Sequence, residues 1–149
     1  MNEEILKLLD REELVISSRK KRLFAYVIDE VILSVIWLSI IWDSFSGLES
    51  TEDKIILVNS YVLEFMALKI IYHTFFVLQY AASPGKIIMR IRILELQNVS
   101  TPSLMCALNR AAVRVVSEIF LYAGFIWGLL DPIHQTWHDK TARTVVVDV

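Results

Sequence analysis

RKKRLFAYVIDEVILSVIWLSIIW, from Arg19 to Trp42, sets four consecutive basic residues against about twenty mostly apolar ones. At ~1.5 Å per residue, such a run crosses the ~30 Å hydrocarbon core of a bilayer as one helix. A cleaved signal peptide would place a short apolar region close behind the N-terminus and end it at small residues. Here the first 22 residues are polar overall, and the run from Leu23 closes on bulky Ile40, Ile41 and Trp42. It reads as a retained span. Lys and Arg beside a span stay on the cytoplasmic side, so Arg19 to Arg22 put the N-terminus inside; a nucleic-acid role for the same block loses its force with an apolar span directly behind it.

The remainder of the 149-residue chain fits the same class. It is 55% hydrophobic and only 21% charged, with a mean hydropathy of +0.50. That balance suits a few membrane helices with short polar connections and is rare in a soluble domain. The single Cys106 excludes an intrachain disulfide and reads as a buried, inert thiol. Upstream, Met1 to Ser18 alternates Ile5, Leu6, Leu8, Leu9 and Leu14 with acidic and basic residues, the pattern of an amphipathic cytoplasmic or interfacial helix. The organisation expected is therefore an N-terminal helix at 1–18 and a membrane domain at 19–149.

Asp43 to Lys54 holds Asp43, Glu49, Glu52 and Asp53 against one Lys54, an acidic loop suited to the outside. Ile55 to Tyr80 follows as a second span, longer than the ~20 residues a crossing requires, so tilt or protruding ends are expected. Ser83-Pro84-Gly85 stops it, and Lys86, Arg90 and Arg92 return the chain to the basic side. Lys86 to Leu96 alternates apolar and charged residues, as a strand does from Arg90 onward, with a turn over Gln97 to Pro102. Arg143 to Val149 is equally strand-like. Neither strand is stable alone, and their pairing would hold the C-terminus on the cytoplasmic side too. Leu104 to Leu130 is a third apolar segment, amphipathic in its first half and loosened by Gly124 and Gly128. An interfacial helix with a re-entrant or partly crossing continuation is expected, a simple third crossing being the alternative. The fold class is mainly α: two transmembrane helices, a third apolar segment and a small cytoplasmic β pairing.

Charges at depth define the candidate site. Asp29 lies ~10 Å beyond Arg22 along the helix, about a third of the way into the core. A carboxylate there needs pairing, hydration or a proton. Seven residues separate it from Arg22, two helical turns, so the two share a face and are expected to pair. Glu64 is read as the deepest charge of the second span, where Lys69 and His73 share a face. Arg110, Arg114 and Glu118 form a stripe at i, i+4 and i+8; Arg114 and Glu118 pair within the helix, and Arg110 needs an acid, with Asp29, Asp131 and Asp139 as candidates. Lipid headgroups are another partner for these arginines.

His134 and His138, with Asp131 and Asp139 beside them, have metal-ligand spacing but no HExxH or cysteine partner, and no metal site is assigned. Gly85-Lys86 is not a phosphate loop, because GxxxxGK[ST] is missing. No nucleophile–base pattern or nucleotide fingerprint is present, so neither enzymatic chemistry nor a cofactor is expected.

Four motifs together resemble the RDD family of bacterial membrane proteins, named for one arginine and two aspartates. Arg22-Leu-Phe-Ala25-Tyr-Val-Ile-Asp29 is similar to its first-span signature. Ser83-Pro84-Gly85-Lys86, followed by Ile91-Arg92-Ile93, resembles its glycine–lysine and strand segment. Asn109-Arg110 and Arg114 match its paired arginines. His138-Asp139-Lys140 with Thr144-Val145-Val146 resembles the closing element and supplies the second aspartate. The order and spacing of these motifs from Arg19 to Val147 carry the resemblance; Glu30 and Glu64 are not motif positions. The resemblance implies a multi-pass protein of the bacterial cytoplasmic (inner) membrane, for which transport is suggested, sodium/proton antiport having been attributed to one member.

Two functions follow as expectations. One is a small transporter of ions or polar solutes, a homo-oligomer in the bilayer exchanging a cation for a proton through Arg22, Asp29, Glu64, Arg110, Arg114 and Asp139. The other is a non-enzymatic scaffold or accessory subunit whose charges lock helix packing, with lipid or polar-metabolite binding as a third. Nucleic acid is not an expected partner.

Overall fold

A computed structural model describes residues 2–97, 99–120 and 123–149. The chain begins with α1 (Asn2–Arg11), then enters the long α2 (Arg19–Ser46). Ser18 caps α2 by accepting the Lys21 N–H at 3.4 Å, which fixes where the basic block turns helical. The amphipathic helix is shorter than the expected Met1–Ser18. Glu13 takes a φ of 54°, and the chain leaves the helix to lie extended beside the last strand, with Ile16 bridged to Val147.

The expected continuous second span is divided in two. α3 (Thr51–Ser60) and α4 (Val62–Tyr80) join at Tyr61, whose φ of −103° and ψ of 19° close one helix and open the next. No proline or glycine marks the break. Ser50 caps α3 and Glu52 and Asp53 occupy its first turn, favourable at a helix N-terminus. Among the described residues, α2 and α4 are the two helices that are each long and apolar enough to cross a membrane.

α4 ends on Ala81 at φ 52°, and Pro84 then starts α5 (Pro84–Ile88) from the first-turn position that proline favours. The alternating segment thus begins as a short helix and becomes β1 (Ile91–Glu95). α6 (Leu104–Ile119) and α7 (Ala123–Leu130) are inclined to each other by 103°, making the third apolar segment bent. The turn expected at Gln97–Pro102 includes Asn98, and the bend includes Leu121 and Tyr122; these three lie outside the described residues. α8 (Trp137–Thr141) and β2 (Thr144–Asp148) complete the chain.

β1 and β2 pair antiparallel, from Ile91 opposite Asp148 to Glu95 opposite Thr144. A two-stranded ribbon needs cover on its faces, and it has both. On one side Ile91, Ile93 and Val146 pack with Ala25, Val77 and Ala107 of the helices. On the other, Leu94, Val145 and Val147 meet Leu9 of α1, with Ile5, Leu14 and Ile16 around it. Both ends of the described chain therefore meet at one end of the bundle, called here the sheet end. Along α2, Ala25, Asp29 and Leu33 recur every fourth residue on the buried face, while Leu23, Val27, Val31 and Val35 stay exposed, the outward apolar surface a bilayer covers.

A candidate polar site inside the helix bundle

Asp29 is wholly buried. Its partner is not Arg22. Ser83 Oγ donates to Oδ2 at 2.5 Å, while the Gly85 N–H at 2.8 Å and the Tyr72 hydroxyl at 3.2 Å both reach Oδ1. The Ser-Pro-Gly turn thus closes over the carboxylate, and residue 85 must be small. A Cβ there would run into the Ala25 carbonyl oxygen and stand 3.0 Å from Asp29 Cγ.

Arg22, in the first turn of α2, faces the sheet end instead. Its Nε donates to Ser17 Oγ at 2.7 Å and Nη2 to the Val146 carbonyl at 2.9 Å. Nη1 reaches the His134 carbonyl at 2.5 Å and Asp139 Oδ2 at 3.4 Å. Helical spacing put Arg22 and Asp29 on one face, but the hydrogen-bonding groups nearest each belong to different elements.

Asp139 is the hub of this end. Arg110 Nη1 lies 2.5 Å from Oδ1 and also contacts Thr144 Oγ1. Oδ2 accepts the Thr136 N–H at 3.1 Å and its hydroxyl at 2.9 Å, a capping box that starts α8. Burial pushes the Asp139 carboxyl up, but the Arg110 and Arg22 charges and the Thr136 N–H outweigh it and hold it well below the usual carboxylate range. Asp131, also opposed by burial, is likewise held down by its ion pair with Lys140 and the Gln135 N–H.

Deeper between the helices, Lys69 Nζ lies 2.8 Å from Glu30 and 2.6 Å from Glu118. Arg114 meets Glu30 at 3.3 Å and Glu118, one turn on, at 3.5 Å. The four close an alternating ring drawn from α2, α4 and α6. Each long cation reaches two carboxylates, and Arg114 also stacks on the Tyr26 and Phe125 rings at 5.1 and 5.7 Å.

Of the six residues expected to form one polar cluster, Arg22, Arg110 and Asp139 come together directly. Arg114 belongs to the ring, and Asp29 to the Ser83 turn. Glu64 is exposed in the first turn of α4, because the break at Tyr61 starts the crossing helix only two residues before it; it is not the deepest charge. Lys69, Glu30, Glu118, Tyr72 and Ser83 complete the network. Lys69 was visible as a cation in an apolar span, but partners on separate helices leave no mark in local spacing.

His134 and His138 turn to different neighbours, Ser17 O at 3.2 Å and Thr136 Oγ1 at 2.9 Å. No metal-holding group of His, Cys, Asp and Glu occurs among the described residues. A cavity of about 440 Å³ opens beside the cluster, with Arg19, Arg22, Lys86, Arg110, Arg114 and Asp139 among its polar walls and Leu23, Phe125, Ile126 and Leu129 among its apolar ones. The model of the RDD family matches residues 16–143. No curated protein and no solved structure matches the chain.

Proposed function

The chain belongs to the RDD family of membrane proteins, and from that premise we propose that it passes small charged or polar solutes across the bacterial cytoplasmic membrane, without catalysing a reaction. The observation that carries this reading is the cavity of about 440 Å³ set against the buried charges at the sheet end, with the Lys69–Glu30–Arg114–Glu118 ring lying deeper on the same helices. Ionisable groups in membrane helices are expensive and mark solute or proton pathways more often than other positions do. Basic Arg19 to Arg22, Lys86, Arg90 and Arg92 support a sheet end facing the cytoplasm, with both described chain ends inside. A homo-oligomer would supply the remaining wall of a pathway.

Cation-for-proton exchange is the form in which Glu30 and Glu118 trade their lysine and arginine partners for a cation. The scaffold reading is favoured by one observation, that Asp29 already accepts from three donors. Proteoliposomes separate the two. Imposed sodium, proton and chloride gradients are followed with a pH-sensitive dye, with the wild-type chain and with a Lys69→Met/Glu118→Gln double variant that keeps the ring's charge balanced. Transport predicts dissipation of at least one gradient by the wild type and its loss in the folded double variant. A folded wild-type protein that dissipates none of them is a scaffold.

A further inference from the structure

The mouth of the large cavity lies where α2 begins. Its walls take Arg19, Arg22 and Leu23 from the first turns of that helix, and Ile126 and Leu129 from α7. The apolar run of α2 starts at Leu23, so Arg19 stands about 6 Å before it at ~1.5 Å per residue. The headgroup layer of one leaflet is about 5–8 Å deep, half the difference between a ~30 Å hydrocarbon core and a ~40–45 Å bilayer. The cationic part of the mouth is therefore level with lipid phosphates, and the apolar part with the first methylenes of the acyl chains. Leu23, Ile126 and Leu129 are 62%, 54% and 57% exposed, side chains for hydrocarbon to cover.

Charge is balanced for most of the groups on or beside the cavity. Lys69 and Arg114 are matched by Glu30 and Glu118. Lys86 is opposed by the buried Asp29 carboxylate. Asp131 and Asp148, which also act on Arg22, are matched by Lys140 and Lys21. Arg22 and Arg110, however, share the single Asp139, and Arg19 is exposed with no acidic partner among the described residues. Two positive charges are left over, and no carboxylate remains for a headgroup ammonium. Donors are left over as well. Arg110 is 5% exposed, and among the described residues it bonds through Nη1 alone, to Asp139 and Thr144. Its Nε and Nη2 are free to serve a ligand, and guanidinium forks fit phosphate oxygens.

We propose that this cavity binds one anionic phospholipid from the leaflet at the sheet end. The phosphodiester sits among Arg19, Arg22 and Arg110, and the acyl chains leave through the mouth along Leu23, Ile126 and Leu129. A soluble anion would leave those apolar walls wet, and a zwitterionic lipid would set its ammonium against the arginines. Basic pockets between membrane helices take anionic headgroups by this chemistry. The volume of about 440 Å³ falls within the ~300–1,000 Å³ of small-ligand sites. The inference goes beyond the transport reading and shares its cavity, but binding stands whether or not solute crosses.

The test uses the full chain in a mild non-ionic detergent, with bound lipid counted by native mass spectrometry and thermal unfolding followed in parallel. Phosphatidylglycerol should bind once per chain, about tenfold tighter than phosphatidylcholine, and raise the unfolding temperature. Glycerophosphoglycerol, the same phosphodiester without chains, should do neither at equal concentration. Arg19→Gln and Leu129→Gln, both at exposed positions, should each weaken binding about three- to fivefold. Lys7→Gln, which removes a charge from α1 on the far face of the ribbon, should leave it unchanged. Equal binding of the two lipids overturns the proposal, and so does selectivity that Lys7→Gln weakens as much as Arg19→Gln does. Glycerophosphoglycerol binding as tightly as the lipid makes the occupant a soluble phosphodiester and overturns it too. Selective binding without flux under any gradient keeps the site and ends the transport reading; flux in vesicles of pure phosphatidylcholine without selective binding does the reverse.

Discussion

Ser83 Oγ and Asp29 Oδ2, 54 residues apart in sequence, share a 2.5 Å hydrogen bond that ties the turn after α4 to the buried face of α2. Hydrogen bonds to charged groups contribute about 1.5–3 kcal/mol, neutral ones about 1. Asp29→Ala should therefore destabilise the protein by about 3 kcal/mol or more, since it strands three donors, and Ser83→Ala by about 1–2 kcal/mol. Thermal unfolding in detergent, run as a double-mutant cycle, should return a coupling energy; strict additivity would show that the bond contributes nothing.

Gly85→Ala and Gly47→Ala form a matched pair. A Cβ at residue 85 is driven into the Ala25 backbone, which cannot rotate away, whereas at residue 47 its nearest neighbour is the Asp43 carbonyl at 3.7 Å. The first substitution should cost about 1–3 kcal/mol by overpacking, and the second should be near neutral. Equal unfolding temperatures for the two variants would contradict the close packing of α5 on α2.

Lys69→Met removes one of two cations from a ring with two carboxylates and should destabilise by about 3–5 kcal/mol, the range for breaking a buried pair. Adding Glu118→Gln removes the stranded charge and should recover part of that loss. If the double variant is no more stable than the single one, the ring does not act as a unit.

Acid should weaken the fold in two steps. His138 is buried neutral, mainly by desolvation, with its pKa well below 6.5. Below about 6.5 the unfolded chain takes up a proton that the folded chain refuses, so stability falls as pH drops. Asp139 is depressed, so its contribution is fully present above the unfolded carboxylate value of ~3.9 and is lost as pH falls below that. Unfolding temperature followed from pH 7 down to 3 should show both steps, and His138→Phe should flatten the upper one. A profile unchanged by that substitution would remove His138 from the account.

Charge accounting read this site better than helical geometry did. Arg110 needed a carboxylate and found Asp139, one of the three acids named for it. Arg114 and Glu118 paired as their one-turn spacing required. Arg22 and Asp29 share a face and still go to different partners, because the sheet end offers Arg22 two carbonyls, while the Ser-Pro-Gly turn offers Asp29 two donors and Tyr72 of α4 a third. Spacing reports which residues can meet, not what else comes near. The first span and the strand pair were legible from length and period. The break at Tyr61 was not, since neither proline nor glycine announces it, and that one break moved Glu64 from the middle of a helix to its end.

The guanidinium of Arg22 bonds to the carbonyl of Val146, 124 residues later, and the strand that carries Val146 also holds Ile16 and β1 in place. During synthesis, at ~5–20 residues per second, α2 and α4 are made well before that strand emerges. Arg22 and Arg110 are therefore both made before their shared counter-charge, Asp139. The order of assembly is thus inverted relative to the order of translation. The first helix long enough to cross a membrane, α2, is locked only by residues made more than a hundred positions after it.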